Sequence, residues 1–199
     1  ASVTFTAADW DTPQTVTVTG VDDSIIDGTI TSTITVAVDD ANSNDSFDDL
    51  ADQTVSVDTL DDDVAGFTIE ETDGSTEVDE SGSTDIFTIV LDAQPTNDVV
   101  VLATASNDET EATVSGSITF TSENWDTPQT VTVTGVDDDL VDGDQTYDIT
   151  ISIVDTISDD EFDGVADQSV SSTTLDDDAP GFTIEETDAA TEVDESGST

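Results

Sequence analysis

The stretch from Trp10 to Asp23, WDTPQTVTVTGVDD, recurs without change from Trp125 to Asp138. The offset is 125 − 10 = 115, and residues 66–73 recur at 181–188 with the same offset, 181 − 66 = 115. A period of this length exceeds a solenoid unit and matches one sandwich domain. The expected division is therefore the C-terminal part of one repeat (1–63), a complete repeat (64–178) and the N-terminal strand region of the next (179–199). Neither the first nor the third piece can close a sandwich alone, so the parent chain is expected to continue on both sides.

Within the complete repeat, apolar residues alternate with Thr, Ser and Asp at a period of two. That is the mark of half-buried strands, and no helical period competes with it. Phe87, Ile89 and Leu91 share one face, Val131 and Val133 a second, and Tyr147, Ile149, Ile151 and Ile153 a third. Turn chemistry at Pro95-Thr96-Asn97-Asp98 and an Asn107-Asp108 loop separate the runs. Seven or eight short strands are predicted, and the fold class is all-β: tandem immunoglobulin-like antiparallel β-sandwich repeats of 115 residues.

Charge narrows the function. The chain has 50 acidic side chains, no Lys, Arg or His, and a formal net charge of −50. Internal salt bridges between side chains are impossible. Nucleic acid is excluded as a partner, because nothing can replace the phosphate counterions. Anionic lipid is disfavoured for the same reason, and no apolar run is long enough for membrane insertion. With no His, Cys or Lys there is no ordinary base or nucleophile, so the chain is not expected to be an enzyme. Absence of Cys also removes disulfides.

The carboxylates concentrate in two elements. Val136-Asp137-Asp138-Asp139-Leu140-Val141-Asp142-Gly143-Asp144 joins two Thr/Val-rich strands, and Asp176-Asp177-Asp178 closes the repeat. Both recur one period earlier, at Asp22, Asp23 and Asp27 and at Asp61-Asp62-Asp63. Two loops distant in sequence can converge at one pole of a sandwich. Such a concentration of negative charge calls for a hard divalent cation, and calcium takes six to eight oxygens. A soft metal has no His or Cys to hold it.

Residues 135–142 followed by Tyr147 resemble the acidic segment of Calx-β motifs. Leu175-Asp176-Asp177-Asp178 is similar to that family's closing element, and Val78-Asp79-Glu80-Ser81-Gly82 to its early one. The resemblance implies an immunoglobulin-like sandwich with calcium at the tip. It implies as ligands Glu80, Asp137, Asp138, the Leu140 carbonyl, Asp142 and Asp176, Asp177 and Asp178. Glu111 stands where the family often has an Asp, without the usual flanking motif. The corresponding positions in the neighbouring copies are Asp22, Asp23, Asp27, Asp61, Asp62, Asp63 and Glu195.

The expected function is a structural repeat of a calcium-stiffened extracellular filament or adhesin stalk on the cell surface. Its partners would be neighbouring repeats, with lateral self-association in a fibre as an option. The alternatives are a calcium-responsive regulatory or ligand-binding module, and a halophilic acidic spacer without specific ion sites. Asp159-Asp160-Glu161 with Asp163 is a weaker candidate for a further ion site. Trp10 and Trp125, beside Pro, read as packed loop anchors.

Overall fold

A computed structural model describes residues 1–106 and 110–186. The Asn107-Asp108 loop and Glu195 lie outside the described residues. Two strands precede the sandwich, β1 (Ile30–Val36) and β2 (Gln53–Thr59). The sandwich follows as β3 (Phe67–Glu71), β4 (Thr76–Asp79), β5 (Thr84–Leu91), β6 (Val99–Ala105), β7 (Ala112–Val114), β8 (Ser117–Phe120), β9 (Gln129–Gly135), β10 (Gln145–Ile153) and β11 (Gln168–Leu175).

These strands form two sheets: a five-stranded one in the order β4-β11-β10-β6-β8 and a four-stranded one in the order β3-β5-β9-β7. The two faces meet on Phe87, Ile89, Val131 and Val133 from one sheet and Val99, Val101, Ile149 and Ile151 from the other, all buried. Period-two alternation puts these side chains inward while Thr and Asp face water. The chain crosses from the four-stranded sheet to the five-stranded one between β3 and β4. There β4 pairs in parallel with β11, Thr76 beside Ser172 and Asp79 beside Leu175. The other strand pairings are antiparallel.

Two features differ from the sequence expectation. β7 is a ninth strand of the sandwich, formed by Ala112-Thr113-Val114 on the edge beside β9. Two short 3-10 turns, Asp155–Ile157 and Asp160–Phe162, occupy the β10–β11 connection, and the second drives Phe162 to full burial. A single 3-10 turn is too short to leave a helical period in sequence.

The two copies form a natural experiment. The β1–β2 hairpin pairs Ile30 with Thr59, and β10–β11 pairs Gln145 with Thr174, which is the same register displaced by 145 − 30 = 115 residues. Yet residues 14–20, identical to β9, form no strand. The first copy has no β5 or β7 beside it, and a strand is defined by its ladder partners. Burial follows suit. Val16, Val18 and Phe47 are half or more exposed, whereas their counterparts Val131, Val133 and Phe162 are fully buried. Trp125 packs against the core as expected of an anchor, but Trp10 is 72% exposed.

Candidate metal centre

The parallel β4–β11 pairing builds the site. Asp79 lies beside Leu175, and the Glu80 amide donates to the Leu175 carbonyl at 3.2 Å. Glu80 and the Asp176-Asp177-Asp178 run therefore leave the sheet together. Glu80 is 1% exposed, an unusual place for a carboxylate in a chain without a basic side chain. Burial pushes its carboxyl above the usual range, the Asp176 and Asp138 charges push the same way, and the Asp177 amide partly offsets them.

One carboxylate oxygen from each of Glu80, Asp177 and Asp178 lies within 4.8 Å of the others. Two oxygens bound to one calcium at 2.3–2.6 Å can be at most about 5.2 Å apart, so this spacing fits a shared ion. Among the described residues it is the one acidic group with that spacing. Glu80 Oε2, Glu111 Oε2 and Asp178 Oδ2 are buried and have no hydrogen-bond partner among the described residues. Buried polar atoms are ordinarily satisfied. Three orphaned carboxylate oxygens at one pole suit a hard cation, with main-chain carbonyls or water completing the shell.

The acidic loop closes over this pole. Asp138 Oδ1 accepts from the Leu140 amide at 2.6 Å, which turns the loop at its apex. Gly143, at φ +76°, aims its amide at Asp176 Oδ2, 2.7 Å away, and the other oxygen of Asp176 accepts from the Asp178 amide at 2.8 Å. Both oxygens of Asp176 thus serve the backbone, which makes it a clasp between loop and terminal run. Asp178 is raised by burial and then by Asp139, Asp176, Asp177 and Asp138. Glu111 is raised by burial, then by Asp142 and Asp138. Its backbone is anchored from two sides, since Val136 N and Thr174 Oγ1 both donate to its carbonyl, at 2.8 and 3.2 Å. The buried Tyr147 hydroxyl lies 3.2 Å from Thr174 Oγ1 and extends that network.

The sequence-derived set is thereby sorted. Glu80, Asp177 and Asp178 come together. Asp138 acts on Glu80, Asp178 and Glu111, Asp142 acts on Glu80 and Glu111, and Asp176 is committed to the backbone. Asp137 and Leu140 are exposed. Asp139, absent from the expected ligands, is the first charge acting on Asp178. Its counterpart one period earlier is Ser24, so the repeat gave no hint of it.

In the first copy the clasp recurs. Asp61 Oδ2 accepts from Asp27 N at 3.0 Å and Gly28 N at 2.7 Å, and Oδ1 from Asp63 N at 2.9 Å. The Asp63 and Gly28 amides lead in holding the Asp61 carboxyl below its usual range. Asp23 Oδ1 accepts from Ile25 N at 3.0 Å, as Asp138 does from Leu140. Asp63 is raised by burial, then by Asp61, Asp62, Asp22 and Asp23. No residue of the sequence stands one period before Glu80 or Glu111.

Asp159 opens the weaker candidate at 159–163, which is not among the described acidic groups with ion-sharing spacing. Its carboxylate accepts from the Thr96 and Asn97 amides and the Thr96 hydroxyl at 2.7–2.8 Å, and from the Glu161 amide at 3.2 Å. Those donors satisfy it from within the protein.

The two sheets define an immunoglobulin-like β-sandwich, a class given by strand order and by the crossing of the first edge between sheets. Solved structures align with the chain at TM-scores of 0.40 and below. The apo form of the Calx CBD1 domain aligns with a TM-score of 0.40 and 16% identity, over 56% of this chain and 98% of that one. CBD12 from CALX1.2 aligns with a TM-score of 0.38 and 17% identity, over 55% and 44%. The E. coli chaperone DraB gives 0.40 and 10%, over 59% of each chain. No family model matches the chain, and no curated protein matches it. Among the described residues, no helix is long and apolar enough to cross a membrane.

Proposed function

We propose that the complete repeat is a calcium-binding structural module of an extracellular, cell-surface filament or adhesin stalk, in which the ion sits between Glu80, Asp177 and Asp178. The observation that carries this reading is Glu80: a fully buried carboxylate, one oxygen unpartnered, facing two aspartates in a chain with no basic side chain. A solvated acidic turn would not bury it. The three charges exceed those of one Ca²⁺ by one, which suits a hard-cation site with carbonyl or water ligands. The Calx-β resemblance of the sequence supports the same metal. Near-identical repeats with an unvaried 125–138 segment favour a spacer over a sensor or a ligand-reading surface.

Calcium titration calorimetry on the chain, in matched ionic strength of sodium, tests the reading. Saturable calcium binding, weakened by about tenfold or more in Glu80→Gln and in Asp178→Asn, is the expected result. Equal stabilisation by sodium, with no saturable heat, would leave only the halophilic spacer.

A further inference from the structure

The acidic loop also carries two apolar residues, Ile25-Ile26 in the first copy and Leu140-Val141 in the second. Metal binding has no use for their side chains, and two large aliphatics inside an aspartate run are costly unless something covers them. In the first copy something does. Ile25 forms a parallel β-bridge with Gln94, and the Gln94 amide donates to the Ser24 carbonyl at 2.7 Å. Ile26 packs against the core of the sandwich. In the second copy, Leu140 and Val141 are 61% and 54% exposed.

The receiving turn is rigid. Ala93 and Pro95 are buried, and the Gln94 side chain donates to the Ser122 carbonyl at 2.8 Å. The flanking Asp92 amide donates to Gly66 at 2.9 Å, and the Leu91 amide to Trp125 at 3.1 Å. The peg therefore meets a preformed seat whose backbone donor is matched to its own carbonyl.

We infer that the apolar pair of the acidic loop is the docking peg between successive repeats, and that Leu140-Val141 takes the next repeat's counterpart of the Ala93-Gln94-Pro95 turn. The occupant is a repeat in the same chain. A bridge and two side chains are far smaller than the roughly 1,000 Å² that holds separate molecules together. Across a short linker, the effective concentration reaches the millimolar range, and a small contact suffices. Two attachments, covalent linker and peg, fix an angle where the linker alone would allow a swivel.

The chain's lack of cysteine allows a direct test. Residues 64–178 are duplicated after Asp178 in the full chain, giving a second complete repeat. One variant carries Ile25→Cys with Gln94→Cys. Another carries Leu140→Cys with the same Gln94→Cys change in the added repeat. With oxidised glutathione as the oxidant, both pairs are expected to close to a disulfide at similar rates, and Val141→Asp is expected to slow the second at least tenfold. Closure of the first pair alone would overturn the inference, as would closure of neither or indifference to Val141→Asp. The reactions are run in chelator with added sodium chloride, so their failure leaves the calcium reading untouched. Val141 is exposed in the unextended chain, so unchanged melting of Val141→Asp there separates lost docking from misfolding.

Discussion

Gly135 and the carbonyl of Asp79 are so close that a Cβ at position 135 would lie 2.0 Å from that oxygen. The glycine is needed for approach, not for an unusual backbone angle. It lets the end of β9 lie against the end of β4, whose next residue is Glu80. Gly20, its counterpart, would meet only the Thr59 methyl, at an ordinary 3.6 Å. Gly135→Ala is expected to cost about 1–3 kcal/mol, the usual range for overpacking a tight interior. It should also weaken calcium binding by displacing Glu80. Gly20→Ala should be near neutral. Urea denaturation of the two variants, with and without calcium, checks both expectations.

The raised carboxyl of Glu80 sets the sign of a pH effect. Burial leads in disfavouring its ionised form, followed by Asp176 and Asp138. A carboxyl whose folded pKa lies above its unfolded value contributes stability that is complete below the unfolded pKa. That contribution is lost as pH rises through the folded pKa. In chelator, the melting temperature should therefore rise as pH falls from 7 towards 5. Glu80→Gln should melt higher than the parent at pH 7 and show a flatter profile. With calcium the order reverses. The parent gains and the variant does not, because the ion requires the carboxylate. Affinity should fall about tenfold or more in the variant, since ligand charge tunes calcium binding over decades. A parent that melts lower in chelator at pH 5 than at pH 7 would contradict this assignment.

Much of the sandwich was legible from alternation. Phe87, Ile89 and Leu91, and likewise Tyr147 to Ile153, point where a period of two puts them. β7 was not legible, because Ala112-Thr113-Val114 is too short to show a period and gains its identity from pairing with β9. The convergence of the terminal aspartates with Glu80 was visible only through resemblance. Its physical cause, the parallel register of β4 on β11, is non-local and leaves no mark on either segment. Identical residues 10–23 and 125–138 make the limit plain: the second contains all of β9 and the first contains no strand. Burial belongs to the neighbours as much as to the sequence, and so does the charge on Asp178 from Asp139.

Asp159 should respond to acid in the opposite sense. Its burial raises the pKa, but the Asn97 amide, the Thr96 hydroxyl and amide and the Glu161 amide more than offset this, and the net shift is downward. Its contribution is therefore present above the unfolded value of about 3.9 and is lost as pH falls through the folded one. Asp159→Ala, which strands those donors, is expected to cost about 1–3 kcal/mol at pH 7. Asp159→Asn should cost less, because Asn44 fills the corresponding place in the first copy and still accepts from the Ser46 amide at 3.0 Å. The gap between parent and either variant should shrink as pH drops below about 4. Calcium should leave both gaps unchanged, since this carboxylate is held by backbone and hydroxyl donors away from the metal pole.

Phe162 and Phe47 occupy the same place in the repeat, 162 − 47 = 115, but one is fully buried and the other 55% exposed. Each is the last residue of a 3-10 turn capped by the residue before it, Asp159 accepting from Glu161 N and Asn44 from Ser46 N. Local structure is thus matched, and only the facing sheet differs. Phe162→Ala is expected to destabilise the sandwich by about 3–5 kcal/mol, the cost of an aromatic cavity in a packed core. Phe47→Ala should change stability by under about 0.5 kcal/mol, as an exposed site without special contacts does. A Trp10→Phe background leaves Trp125, which packs against the core, as the fluorescent reporter of the sandwich alone. Equal losses from both substitutions would mean that the first copy buries Phe47 in solution, and the contrast between the two copies would then fail.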